Sequence, residues 1–327
     1  LMPWAFKLLL NMRPEPFAQS HQALLALNSQ SLQAWQDFAD KWQLTSWIKV
    51  QGSLLTVEKN TSLYELKAHG HRLNDLGVNN ELLSQSALLD LEPELKDNQL
   101  GALLFPETGH ITNLEAMAQK LTDTFRELGG RIFENCRVLG AKVTADSITL
   151  TTANRQINAK KVMLAAGAHS KVLAKHLTGI SVPLDTERGY HLMLPNEATR
   201  LTLPVSSMDR RFIMTPMDTG LRLAGTVEYA GLEAPANMNR AQMLLKQAQA
   251  MIKTPLDSQN STQWMGFRPS TADSLPIIDK CGSVLLNFGH QHLGLTQAVV
   301  SAEMITALYF GETPAIDPTS YRLNRFK

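Results

Sequence analysis

The sequence predicts a mixed α/β protein of two lobes, and three features carry that reading. Its 327 residues suffice for two packed lobes with a sizeable core. From Asn113 to His176 the texture runs helix, strand, hairpin, strand, glycine turn and helix, which is an α/β arrangement. A strand-rich stretch from Ser181 to Glu228 then precedes a closing strand, loop and helix, so the chain crosses between the lobes more than once.

Each element follows from its periodicity. Ser20 to Trp42 repeats apolar residues at three- and four-residue steps (Leu24, Leu27, Trp35, Phe38), the stripe of an amphipathic helix. Trp47 to Glu58 alternates as strands broken at Gly52. Leu63 to Leu76 and Ser84 to Leu91 read as helices, the second stopped at Pro93. Phe105 to Asn113 is a turn-rich loop, and Asn113 to Leu128 is an amphipathic helix ended by Gly129 and Gly130. Strands are expected at Arg131 to Glu134, Arg137 to Val143 and Lys161 to Ala166, with a hairpin over SITLTTANRQINA. Gly167 and Ala168 turn the last of these strands into a helix from His169 to His176. Asn239 to Lys253 is a helix, and the final one ends at Gly311.

Composition narrows the function. Hydrophobic residues make up 44% and charged residues 19%, the balance of a folded globular chain. A formal charge of +1, with acids and bases interspersed, argues against nucleic acid as an obligate partner. No apolar run is long enough for a transmembrane segment. Cys136 and Cys281 lack the spacing of a disulfide framework or a zinc site, and a reducing compartment is the simpler setting. Leu1 to Leu10 is apolar but has no leading basic region and no cleavage pattern, so the start reads as an internal point of a longer protein.

Four local patterns carry chemistry. Gly289 to Thr296 (GHQHLGLT) lies between a strand and a helix, where glycines admit close approach of a ligand and the helix N-terminus favours negative charge. Gly294, Leu295 and Thr296 are thereby placed to stabilise the anionic edge of a reduced flavin; an ordinary glycine-rich turn has the same composition. Arg268 is tethered between Gly266-Phe267 and Pro269, and a guanidinium is the natural bidentate partner of a carboxylate, although a lone arginine is most often solvated. Ala165 to Ala168 is small enough for a cofactor to lie on its backbone, or is simply a tight crossover. The Tyr190 hydroxyl in RGYHL can meet a substrate or a wet interface. His110, His290 and His292 have no carboxylate spaced to complete a metal site, and metal is rejected.

In this order these motifs resemble the FAD-dependent D-amino-acid dehydrogenase/oxidase family, which includes glycine and sarcosine oxidases. The matching pieces are GALLFPETGHITN, CRVLGAKV, KVMLAAGAHS, RGYHL, GLRLAGTVEYAG, GFRPSTADSLPII and NFGHQHLGLTQAVVSAEMI. The resemblance implies a two-lobed fold of the D-amino-acid oxidase type. Residues 46–105 and 180–262 would form a mixed-sheet substrate domain; residues 106–179 and 263–327, with a helical 1–45, would form an incomplete FAD-binding domain. It implies that Arg268 binds the substrate carboxylate, with Tyr190 a weaker pocket candidate. Val138 would touch the adenine side of FAD, Ala166 and Gly167 would lie along the cofactor, and Gly289, His290, Gly294, Leu295 and Thr296 would hold the flavin ring.

The implied reaction takes hydride from Cα of a D-amino acid or related amine to flavin N5, giving a 2-oxo acid and ammonia, with oxygen or a respiratory quinone as acceptor. A quinone would favour a cytoplasmic enzyme peripheral at the inner membrane face. Family members open on a strand, GxGxxG and helix that grip the FAD pyrophosphate, and this sequence begins downstream of that pattern. The expectation is therefore weak FAD binding by this polypeptide alone, or a partner subunit. The rivals are a glycine/sarcosine oxidase-like activity and a flavin-less, non-catalytic binding protein.

Overall fold

The computed structural model describes residues 2–327, with side chains described from Trp4 onward. Helices α1 (Met2–Asn11) and α2 (Pro14–Trp42) come first. Pro14 and Pro16 fall in the first turn of α2, where an N–H has no helical acceptor, so the helix starts earlier than its apolar stripe. It stops at Gln43, which takes a left-handed φ of 60°. Strands β1 (Ile48–Val50) and β2 (Ser53–Val57) are divided at Gly52, followed by α3 (Asn60–Asp75) and β3 (Glu81–Ser84). Ser84 caps α4 (Gln85–Leu91), its hydroxyl accepting from the Ala87 amide at 3.2 Å. Then come β4 (Gly101–Phe105), β5 (Gly109–Ile111) and α5 (Leu114–Glu127).

The middle of the chain supplies β6 (Val138–Val143), β7 (Ile148–Thr152), β8 (Gln156–Ala159), β9 (Val162–Leu164) and α6 (Ser170–Thr178). Four strands follow: β10 (Leu184–Leu194), β11 (Val205–Ser207), β12 (Phe212–Met217) and β13 (Gly220–Glu228). After α7 (Asn239–Gln249) the chain closes with β14 (Thr262–Thr271), β15 (Ile277–Cys281), β16 (Val284–Phe288) and α8 (Ala298–Phe310). Among the described residues no helix is long and apolar enough to cross a membrane.

Two local expectations are corrected. Arg131 to Glu134 is not a strand: it leaves the glycine pair irregularly and pairs with no neighbour, and its apolar Ile132 and Phe133 stay exposed. Thr262–Thr271, which alternation did not single out, is a full strand because β10 offers it a ten-residue antiparallel register. The helix after the glycine- and histidine-rich loop begins at Ala298, two residues beyond Thr296.

An eight-stranded sheet has the order β14-β10-β13-β12-β11-β2-β4-β3, antiparallel except between β11 and β2. Its register sets the site. Glu187, Gly189, His191 and Met193 share one face of β10, because side chains alternate along a strand. Arg268 pairs with Glu187, Gly266 with Gly189, Trp264 with His191, and on the other flank Ala224 with His191 and Arg222 with Met193. The opposite face, with Leu192, Leu194, Leu221, Leu223 and Met214, is buried against Leu244 and Ala248 of α7. Burying one such leucine contributes about 1.5–3 kcal/mol, so this face fixes which way the other one points.

A smaller sheet runs β15-β16-β9, with β16 and β9 parallel. Leu285 and Ile278 pack on Leu27 of α2 and Val300 and Met304 of α8. Leu164, Leu286 and Phe288 pack the other way, on Ala174 and Leu177 of α6 and Ile148 of the β6-β7-β8 meander. The result is a three-layer block in which two parallel strands, covered on both faces, end side by side.

Candidate functional site

Leu164 at the end of β9 pairs with Leu286 of β16. Both chains therefore leave the sheet at the same edge: β9 into Ala165 to His169, and β16 into Gly289 to Gln297. The carboxyl ends of parallel strands are where open α/β sheets hold ligands, because glycine turns and helix starts gather there. A cleft of about 1050 Å³ opens along this edge, lined by Val138, Ala165, Ala166, His169, Leu184 and Gly231 among others. Gly167 takes a φ of 52°, and a Cβ on it would meet nothing within 4 Å, so the turn presents bare backbone. Gly289, at φ 87°, would bring a Cβ to 3.0 Å from Thr271 Cγ2. Its bareness serves packing.

Past Gly289 the loop is fixed to β14. His290 forms an antiparallel bridge with Ser270, and the Gln291 amide donates to Pro269 O at 3.1 Å. Gln291 sits at a left-handed φ of 55°, held there by its side-chain amide donating to Thr271 Oγ1 at 2.8 Å. The amides of Leu293, Gln297 and Ala298 find carbonyls within the loop. Those of Gly294, Leu295 and Thr296 have no protein acceptor among the described residues, and all three residues are exposed. Three successive free donors before a thirteen-residue helix are suited to an anionic edge. Burial holds the His290 imidazole at about 4, and its Nε2 is enclosed without a partner among the described residues, so near neutral pH the ring is uncharged.

Arg268 comes to the same place from the other sheet. A cavity of about 220 Å³ is lined by Arg268, Gly266, Arg222, Trp264, Gln291 and His292, together with Gly189, Tyr190 and their neighbours. Missing side chains make room for two of its lining groups: a Cβ on Gly189 would overlap the Arg268 guanidinium, and one on Gly266 would overlap the Trp264 ring. Arg268 makes no ion pair or side-chain hydrogen bond among the described residues. Burial lowers its pKa, while Glu187 and Tyr229 pull the other way, and the group stays protonated. The two sites adjoin: His169, after the Gly167 turn, meets the Phe267 ring edge-on at 6.1 Å.

The comparisons with known proteins agree with this geometry. The family model described as FAD dependent oxidoreductase matches residues 3–308. This chain belongs to that family. It is 30% identical over 285 residues to a D-amino-acid oxidase of Bradyrhizobium diazoefficiens, covering 83% of this chain and 67% of that protein. It is 25% identical over 336 residues to a D-amino acid dehydrogenase of Vibrio atlanticus, covering 100% of this chain and 80% of the relative. The fold is similar to that of glycine oxidase from Geobacillus kaustophilus, with a TM-score of 0.80 at 19% identity over 91% of this chain and 82% of that one. It is also similar to L-proline dehydrogenase from P. horikoshii, with a TM-score of 0.72 at 18% identity over 92% and 82%. The two-lobed FAD-dependent oxidoreductase fold and FAD dependence foreseen from the motifs are thus those of the family.

As a member of this FAD-dependent family the chain has a surface that fits the cofactor. The wall at Ala165 and Ala166 is small, Gly167 beside it presents bare backbone, and the amides of Gly294 to Thr296 have no protein acceptor among the described residues. Tyr190 is placed differently from its expected role. It borders the cavity, but strand alternation turns its ring to the α7 side, where it is 1% exposed. Its hydroxyl donates its one proton to Glu228 Oε2 at 2.5 Å and accepts from the Asn237 amide at 3.1 Å, so it has no proton free to donate to a substrate. Residue patterns missed Gly189, Arg222 and Trp264. The signal for the glycine was its place inside an apolar-alternating strand, and for the arginine a lone charge within GLRLAG, but neither reveals its pairing partner.

Proposed function

We propose that the protein oxidises D-amino acids, with Arg268 as the carboxylate anchor and the loop from Gly289 to Thr296 as the flavin-ring support. One observation carries the reading: the half-buried Arg268 guanidinium, which makes no ion pair or side-chain hydrogen bond among the described residues, shares a cavity with Gln291 and His292 of that loop. Val138 and Ala166 on the cleft wall, with Gly167 beside them, extend the cofactor surface toward the adenine side. The block around β9, β15 and β16 would serve the cofactor and the eight-stranded sheet the substrate.

Bound FAD would supply the acceptor for hydride from Cα, and water would release the resulting imine as a 2-oxo acid and ammonia. The chain's own part is charge and position. Arg268 holds the carboxylate in two-point contact, which fixes the Cα–H direction. No carboxylate lines the cavity itself; the acid acting on Arg268 is Glu187, its partner across the strand pair. The amides of Gly294, Leu295 and Thr296 would stabilise negative charge on the flavin edge. The name dehydrogenase, carried by a relative aligned over the whole chain, is compatible with an acceptor other than oxygen, and we infer a quinone-type acceptor reached peripherally at a membrane. The test is spectroscopic: anaerobic D-amino acids should bleach the flavin bands of the loaded protein and their L-enantiomers should not. Bleaching by glycine or sarcosine alone would favour the amine-oxidase alternative.

A further inference from the structure

The cavity beside Arg268 holds a second guanidinium that the anchor role does not use. Arg222 on β13 lies opposite Met193 and Arg268 on β14 lies opposite Glu187, so the two flank β10 on one face and enter the cavity from different strands. Gly189, Gly266 and Ala224 line the same cavity, and the Trp264 ring, lying over Gly266 and stacked on His191 at 4.9 Å, forms a wall. Arg222 makes no ion pair or side-chain hydrogen bond among the described residues.

Its charge is uncompensated. Glu187, hydrogen-bonded to Tyr229, acts on Arg268, whereas the groups acting on Arg222 are burial and the like charge of Arg268, both of which disfavour its cation. An arginine keeps its proton regardless. A half-buried permanent cation beside another is costly until an anion arrives. One substrate carboxylate, held by Arg268, leaves Arg222 unmatched. We propose that Arg222 is a second anion-binding group of this pocket, so that the preferred substrates are D-amino acids with an acidic side chain.

This rests on the proposed function, and two readouts separate their failures. The first is the ratio of kcat/KM for D-glutamate over D-glutamine in the flavin-loaded protein, with an artificial electron acceptor. It should exceed one in the wild type and fall about 30-fold in Arg222→Gln, the loss typical of truncating a desolvated charge partner. Arg222→Lys should keep most of the preference. The second is calorimetric binding of glutarate against pentanoate, which needs no turnover; glutarate should bind more tightly, and Arg222→Gln should remove the difference. Oxidation of D-amino acids with no preference for the acid, or a preference that survives Arg222→Gln, overturns the inference and spares the function. Glutarate selectivity lost in Arg222→Gln, without oxidation of any D-amino acid, does the reverse.

Discussion

Arg268 lies across the backbone of Gly189, in the space that a Cβ on that residue would take. The bond-by-bond pairing of β10 with β14 enforces the contact, because Gly189 stands opposite Gly266 and Glu187 opposite Arg268. Gly189→Ala should push the guanidinium out of line while leaving the strand folded. A displacement of about 1 Å can cost on the order of 100-fold in rate. We expect kcat/KM for the best D-amino acid to drop at least about tenfold, with a melting temperature close to wild type; equal kinetics for the two proteins would show that the guanidinium is free to move.

Arg188 is fully buried and holds the loop that borders the cleft beside β9. Its guanidinium donates to the carbonyls of Gly231 and Ala234 at 2.7 Å and of Pro235 at 3.1 Å, with Glu228 3.7 Å away. Gly231, Leu232 and Glu233 line the cleft. Arg188→Leu removes the donors and leaves the carbonyls and a carboxylate without them. Denaturant unfolding should show a loss of about 3–5 kcal/mol, the usual result of breaking a buried pair from one side.

Ala166 is exposed on the cleft wall and touches no core cluster. Ala166→Leu should therefore fold normally and retain less flavin, read as a lower ratio of flavin to protein absorbance after purification. Full occupancy in this variant would move the cofactor off this wall.

Acid should weaken the fold through two histidines. Burial, and for His191 also Arg222, holds His191 and His290 at about 4, below the ordinary 6.5. Their folded pKa values lie under the unfolded ones, so the unfolded chain binds more protons and the stability is complete above about 6.5. It should be lost as pH falls from there through about 4. His290→Gln should flatten that slope by about one proton's worth in stability measured against pH; an unchanged slope would place the imidazole in water.

Much of this was legible in the residues. The apolar steps of α2, the amphipathic α5 and the strand-to-glycine turn at Leu164 to Gly167 rest on local periodicity and turn chemistry, which a single chain displays. The motifs around Arg268 and Gly289 also fell within one cavity's reach. Side-chain direction was not legible. Tyr190 was offered to the substrate because its motif contains a hydroxyl, yet the parity of β10 turns it toward Glu228. Parity depends on which face α7 covers, and only non-local pairing decides that. Arg131 to Glu134 failed for a related reason: a β-prone run without a neighbour to pair with remains a loop.

Steady-state oxidation of D-amino acids by flavin-loaded Arg268→Ala and Arg268→Lys tests the central claim most directly. The alanine variant should raise KM and cut kcat/KM by at least about 100-fold, as removal of a charge-assisted two-point contact does. The lysine variant should recover part of it through charge alone. A kcat/KM unchanged in Arg268→Ala would contradict the assignment of this guanidinium as the substrate anchor.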